Sequence, residues 1–151
     1  MKNLLLILSL FIFVISLIAC GKSHDNKNTN PIIHNTVNGK QLYFTPMSNY
    51  ANVRSNEQGL ILVSGQTYSF KAYVEKYVQE NDWWEMDNAY DCSNTVWTIS
   101  GIGYFGSEGI TATAGETVSI AINTPANTSG TLRLDLDGMI FSFSVKVVSK
   151  V

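Results

Sequence analysis

The chain is poor in the residues that most often carry out chemistry. Its two histidines are His24 and His34, and none follows. A Ser-His-Asp triad or a conventional zinc set is therefore excluded from residues 37–151. Two cysteines, Cys20 and Cys92, permit one disulfide at most. Asp, Glu, Lys and Arg make up only 15% of the residues, and the basic ones are scattered singly. That leaves no broad positive field for nucleic acid or anionic lipid. No stretch after the first twenty residues holds a 3.6-residue hydrophobic period long enough for a helix.

What is present begins with an export-like leader. Lys2 supplies a positive head, and Leu4 to Ala19 carries no charge. At helical rise that run spans about 24 Å, short of the roughly 30 Å hydrocarbon core of a bilayer. The shape is that of a signal peptide, with an uncleaved anchor snorkelling through Lys2 and Lys22 as the alternative. The run ends in Leu17-Ile18-Ala19-Cys20-Gly21, which resembles the lipobox of bacterial lipoproteins. The resemblance implies diacylglycerol in thioether linkage to Cys20, cleavage just before it, and acylation of the new amino terminus. Each buried methylene is worth about 0.8 kcal/mol, so several chains hold a protein stably on a membrane. Gly21 stands where an inner-membrane retention Asp would be, which favours the outer membrane in a Gram-negative cell. Residues 1–19 are thus read as a lipoprotein signal peptide. With Lys2 removed, nine of the ten Lys and Arg face 12 Asp and Glu, a net charge of about −3. Cys92 then has no intramolecular partner, and reads as a buried small hydrophobe or a spectator.

Residues 20–36 form the lipidated amino terminus and a flexible polar tether, rich in Asn, on which His24 and His34 read as surface histidines. Residues 37–151 are read as one all-β domain. Strands are expected at Gln41–Thr45, Gly59–Val63, Thr67–Val74, Thr95–Ser100, Ile110–Thr113 and Thr117–Ile122. Leu132, Leu134 and Leu136 alternate with polar residues, and Phe141, Phe143, Val145 and Val147 do the same after an Asp137-Gly138 turn. One oily and one polar side per strand is the pattern of two sheets sharing a core. Phe70, Val118, Ile120, Leu132, Leu134, Phe141, Phe143 and Val145 are the expected core. About seven antiparallel strands fit a β-sandwich with Greek-key links, and a closed barrel is the alternative.

Gly65-Gln66-Thr67-Tyr68, Asn94-Thr95-Val96-Trp97-Thr98-Ile99-Ser100, Gly115-Glu116-Thr117-Val118 and Ser129-Gly130-Thr131-Leu132 together resemble bacterial immunoglobulin-like repeats of envelope proteins. The similarity runs from Gly59 to Val148 and implies an immunoglobulin-like sandwich with Trp97 as a core anchor. Such modules serve as spacers, adhesins and enzyme accessories alike. The segment from Glu75 to Ser93 departs from that pattern.

That segment is the candidate site. Glu75 to Asp91 holds six carboxylates against Lys76 alone, interleaved with Tyr77, Trp83, Trp84 and Tyr90. Asp82, Asp87, Asn88 and Asp91 are candidate oxygen ligands for Ca²⁺, though their spacing is not that of an EF-hand. Trp83, Trp84 and Tyr90, with Tyr104 from a glycine-rich stretch, are candidate contacts for a protein or glycan. Adjacent strand residues point oppositely, so Trp83 and Trp84 form one platform only if the backbone turns between them. The glycine-rich stretch Ile102–Gly109 lacks a phosphate-binding setting. The carboxylates have no spacing that fixes glycosidase geometry. The expectation is a non-catalytic envelope binding module. A structural accessory docking by a sheet edge is the alternative, and an inhibitor of a secreted hydrolase a lesser one.

Overall fold

The computed structural model describes residues 33–49, 54–56, 59–106 and 109–149. The leader, Cys20 and most of the tether lie outside the described residues. In chain order the strands are Ile33–His34 (β1), Thr36–Val37 (β2), Lys40–Pro46 (β3), Arg54–Asn56 (β4), Gly59–Val63 (β5), Thr67–Val78 (β6) and Trp83–Met86 (β7). Val96–Ser100 (β8), Tyr104–Phe105 (β9), Ala112–Ala114 (β10), Thr117–Ala121 (β11), Ser129–Leu136 (β12) and Met139–Val148 (β13) follow. Among the described residues there is no helix.

The strands form two sheets. One runs β10-β8-β12-β13-β5-β4, with β1 also on β13, and the other runs β2-β3-β6-β11-β9, with β7 also on β6. The fold is an all-β sandwich, as the alternation predicts. All ladders are antiparallel except β5–β13, where Leu60 lies beside Val145 in parallel. Parallel neighbours need a long crossover, and here everything from β6 to β12 supplies it.

Period-2 alternation puts the core between the sheets. Tyr68, Phe70, Ala72 and Val74 of β6 are buried, as are Val118 and Ile120 of β11. They share one cluster with Trp97, Leu132, Leu134, Phe143 and Val145 from the facing sheet. Phe141 is partly buried against that cluster. Phe44 of β3 stacks on Phe143 of β13 with ring centroids 5.0 Å apart, which ties the two sheets directly. The Trp97 indole N–H donates to the Gly115 carbonyl at 2.8 Å, so the largest core side chain leaves no polar atom unsatisfied. Gly130 passes so close to β8 that a Cβ there would lie 1.9 Å from the Ser100 carbonyl oxygen.

The boundary of the tether needs correction. Ile33, His34 and Thr36, expected in flexible chain, are strand residues. β1 pairs with β13 of one sheet, and β2 pairs with β3 of the other, so this short stretch crosses between them. Asn35 at the crossing donates from its side-chain amide to the Gly138 carbonyl at 2.9 Å, and its side-chain oxygen accepts from the Ile140 N–H. His34 is not a surface histidine: its ring sits 4.5 Å from that of Tyr43 and 4.8 Å from that of Phe141. Burial pushes its pKa below the ordinary imidazole value, against upward pulls from the Leu42 backbone and Glu75. Such short strands have room for no visible period, and aromatic packing rather than pattern places them.

Trp97→Ala removes a fully buried indole and its hydrogen bond, and should cost about 3–5 kcal/mol in urea unfolding with an unchanged slope. A loss below about 1 kcal/mol would mean that Trp97 does not anchor the core.

Candidate functional site

The odd acidic segment is a β-ribbon rather than a loop. β6 continues past its core-facing residues to Val78, the chain turns through Gln79–Asp82, and β7 returns along it. Asp82 takes a positive φ of 54° at the end of the turn. The register pairs Val78 with Trp83, Tyr77 with Trp84, Lys76 with Glu85, and Glu75 with Met86.

Alternation then assigns faces. Tyr77, Trp84 and Met86 share the outer face of their sheet with Tyr73 and Glu75, while Val78, Trp83, Lys76 and Glu85 lie on the other face. The two tryptophans therefore point apart, and each has its own neighbours. Trp84 packs on Tyr77 with ring centroids 5.4 Å apart. Exposure is unusually high for such side chains: 58% for Trp83, 37% for Trp84, 42% for Tyr77 and 53% for Met86. Four large apolar side chains thus stand in the open on one ribbon, Trp83 on one face and Tyr77, Trp84 and Met86 on the other. Tyr77 and Met86, which the sequence reading did not single out, are as open as the tryptophans. The signal for them was the Tyr73, Glu75, Tyr77 alternation continuing β6 beyond Val74.

The candidate calcium ligands are not gathered at one point. Asp82 accepts from the Tyr77 hydroxyl. Asp87 is ion-paired with Lys40 of β3. Asp91 accepts from the Ser93 backbone N–H at 2.9 Å, a local Asx turn. Asn88 is exposed. Among the described residues no three His, Cys, Asp or Glu side chains converge on a point that would hold a metal ion.

Tyr90 is likewise engaged within the fold. Its hydroxyl donates to Asp137 at 2.7 Å, in the turn between β12 and β13, and Lys40 Nζ lies 4.6 Å from its ring centroid. The Lys40–Asp87 pair and the Tyr90–Asp137 bond thus sew the segment after β7 to both sheets. Lys40 holds the Asp87 carboxyl below the usual carboxylate range, and Asp137 pushes the Tyr90 phenol up to about 12.

Tyr104 stands elsewhere. It is half-buried in β9 opposite Ala121, which in turn faces Thr67 at the start of β6. Strand rise puts it roughly 35 Å from the ribbon's turn. Its neighbour Phe105 is buried and covers the core there. Beside it lies an open depression of about 360 Å³, lined by Phe105, Gly106, Ile110 and Val118 among others. The chain matches no protein-family model, no curated protein and no solved structure. Cys92 is buried, and burial pushes its thiol pKa up, the reverse of an activated nucleophile.

The Tyr90 bond predicts an alkaline signature. A phenol whose folded pKa is raised contributes stability below its ordinary value of 10.0 and loses it as pH climbs through about 12. Urea unfolding of Tyr90→Phe should show a deficit relative to the parent near neutrality that closes over that window. A deficit constant from neutral to strongly alkaline pH would show that the hydroxyl bond is not its source.

Proposed function

We propose that the chain is a non-catalytic lipoprotein of the bacterial envelope that binds a protein or glycan partner through the β6–β7 ribbon. Its lipobox-like Leu17-Ile18-Ala19-Cys20 supports export and lipid attachment at Cys20, with the outer membrane favoured in a Gram-negative cell. The observation that carries the binding role is the exposure of Tyr77, Trp83, Trp84 and Met86 together on a ribbon braced at its base. Exposed indoles are costly unless used, and bracing lowers the ordering cost of binding. The absence of histidine after His34 and the raised thiol pKa of Cys92 support a role without catalysis.

Docking of an accessory subunit by a sheet edge is favoured by a separate observation. β7 pairs with β6 on one side, and no other described strand lies along it. The aromatic site and the open edge thus share Trp83, Trp84 and Met86.

Two measurements test this reading. In the native cell, the parent chain should fractionate with membranes and carry lipid on Cys20 by mass spectrometry, and Cys20→Ser should leave the membrane fraction. A Cys20→Ser chain that stays membrane-bound would overturn lipid anchoring. Recovery of partners from solubilised membranes should lose its dominant species in a Trp83→Ala/Trp84→Ala variant that keeps the parent's thermal midpoint. An unchanged set of partners would remove the ribbon's aromatics from the binding role.

A further inference from the structure

The ladder between β6 and β7 determines which backbone groups of β7 are spent. Asp87 N–H donates to the Val74 carbonyl at 2.8 Å, so Val74 and Asp87 form a hydrogen-bonded pair. Antiparallel pairs alternate, so Lys76–Glu85 and Val78–Trp83 are hydrogen-bonded and Glu75–Met86 and Tyr77–Trp84 are not. The Tyr77 N–H agrees, since it turns the other way to the Gly39 carbonyl at 2.9 Å. The N–H and C=O of Trp84 and Met86 therefore face away from β6, along an edge with no neighbour among the described strands.

Natural edges are blunted by brevity, lysine, proline, a bulge or an inward-pointing charge. β7 is four residues long and reads Trp-Trp-Glu-Met, with no lysine, proline or bulge. Its single charge, Glu85, is matched by Lys76 at 3.3 Å. Its side chains at the edge are apolar and exposed. An exposed apolar edge is a template for another strand.

We propose that the occupant is a second copy of this chain, joined β7 to β7 in antiparallel register about a two-fold axis at Glu85. The strand is complementary to itself in that register. Trp84 of each copy meets Met86 of the other, and both residues carry the outward N–H and C=O, so the two pairs exchange hydrogen bonds across the seam. The indole and thioether then lie side by side on the outer face, a favourable sulfur–aromatic contact. The two Glu85 carboxylates face each other across the axis, an unfavourable like-charge pair that each copy's own Lys76, 3.3 Å from its Glu85, offsets in part. The contact uses the same patch on both copies and closes at two, so it makes a dimer and not a fibre. Two Tyr77–Trp84 pairs come onto one continuous outer face. The inference stands apart from the partner reading above, because self-pairing and partner recovery can each fail while the other holds.

The test uses the full chain purified in mild detergent. Glu85 would be a non-hydrogen-bonded pair with its own symmetry mate, with Cα atoms about 4.5 Å apart, within disulfide reach. Under mild oxidation Glu85→Cys should run as a covalent dimer with the residue-85 cross-link found by peptide mapping, whereas Glu80→Cys, in the exposed turn, should remain monomeric. Met86→Pro, added to Glu85→Cys, deletes one outward N–H without touching the β6–β7 ladder, since proline is tolerated where an edge N–H faces solvent. It should abolish the dimer band while far-ultraviolet dichroism and thermal midpoint stay those of Glu85→Cys alone. No dimer at residue 85, equal cross-linking at residue 80, or a dimer that survives Met86→Pro would each overturn the proposal. In the last case a glycan or a foreign strand would be the better occupant of the ribbon.

Discussion

Everything in this fold hangs on the pairing of one long strand. Thr67–Val78 lies between β3 on one side and both β11 and β7 on the other. Its first half buries Tyr68, Phe70, Ala72 and Val74 against the facing sheet. Its last residues keep the same alternation after the core has ended, and hydrophobic burial no longer holds them. What holds them is the ladder, which lets the backbone run straight on from a packed sheet into an exposed ribbon. The aromatics on that ribbon are therefore presented by a strand fixed at its root, not by a wandering loop.

A polar chain completes the bracing where apolar contact is missing. Lys40 binds Asp87, lies over the Tyr90 ring, and Tyr90 reaches Asp137 at the turn of the other sheet. These groups are partly exposed, so no single link contributes much stability. Their effect is geometric: the segment leaving β7 is led to β8 along one path. At the same end Asn35 holds the β12–β13 turn, so the β1–β2 crossing and the Tyr90 bond grip the same hairpin from different segments.

The core was legible because long alternating strands display it, in Leu132, Leu134 and Leu136 and on past the Asp137-Gly138 turn, while Trp97 was marked by the resemblance to immunoglobulin-like repeats. β1, β2 and β9 have two residues each, too few to show any period. The Asn38-Gly39 turn carries the same positive-φ code as Asp137-Gly138, but the strand before it is too short to announce a hairpin. β7 was hidden for another reason. All four of its residues are exposed, so no oily face marks it, and its turn has neither glycine nor proline, with Asp82 itself taking the left-handed conformation. The dispersal of the candidate calcium ligands was not legible because composition counts charges and does not see partners. Asp87 is neutralised by Lys40, 47 positions away in the chain. Only the pairing, invisible in one sequence, makes β5 and β13 parallel, whereas the separation of Trp83 and Trp84 onto opposite faces follows from strand alternation alone.

The central claim is that the Trp83–Met86 segment is a paired strand rooted in the sandwich. Amide hydrogen exchange followed residue by residue by nuclear magnetic resonance tests it most directly. The N–H groups of Trp83 and Glu85, bonded to Val78 and Lys76, should exchange well below the rate of an unstructured peptide, in step with the Tyr77 N–H on the other side of β6. If Trp83 and Glu85 exchange as fast as an unstructured chain while Phe70 and Ala72 stay protected, the ribbon does not exist as described.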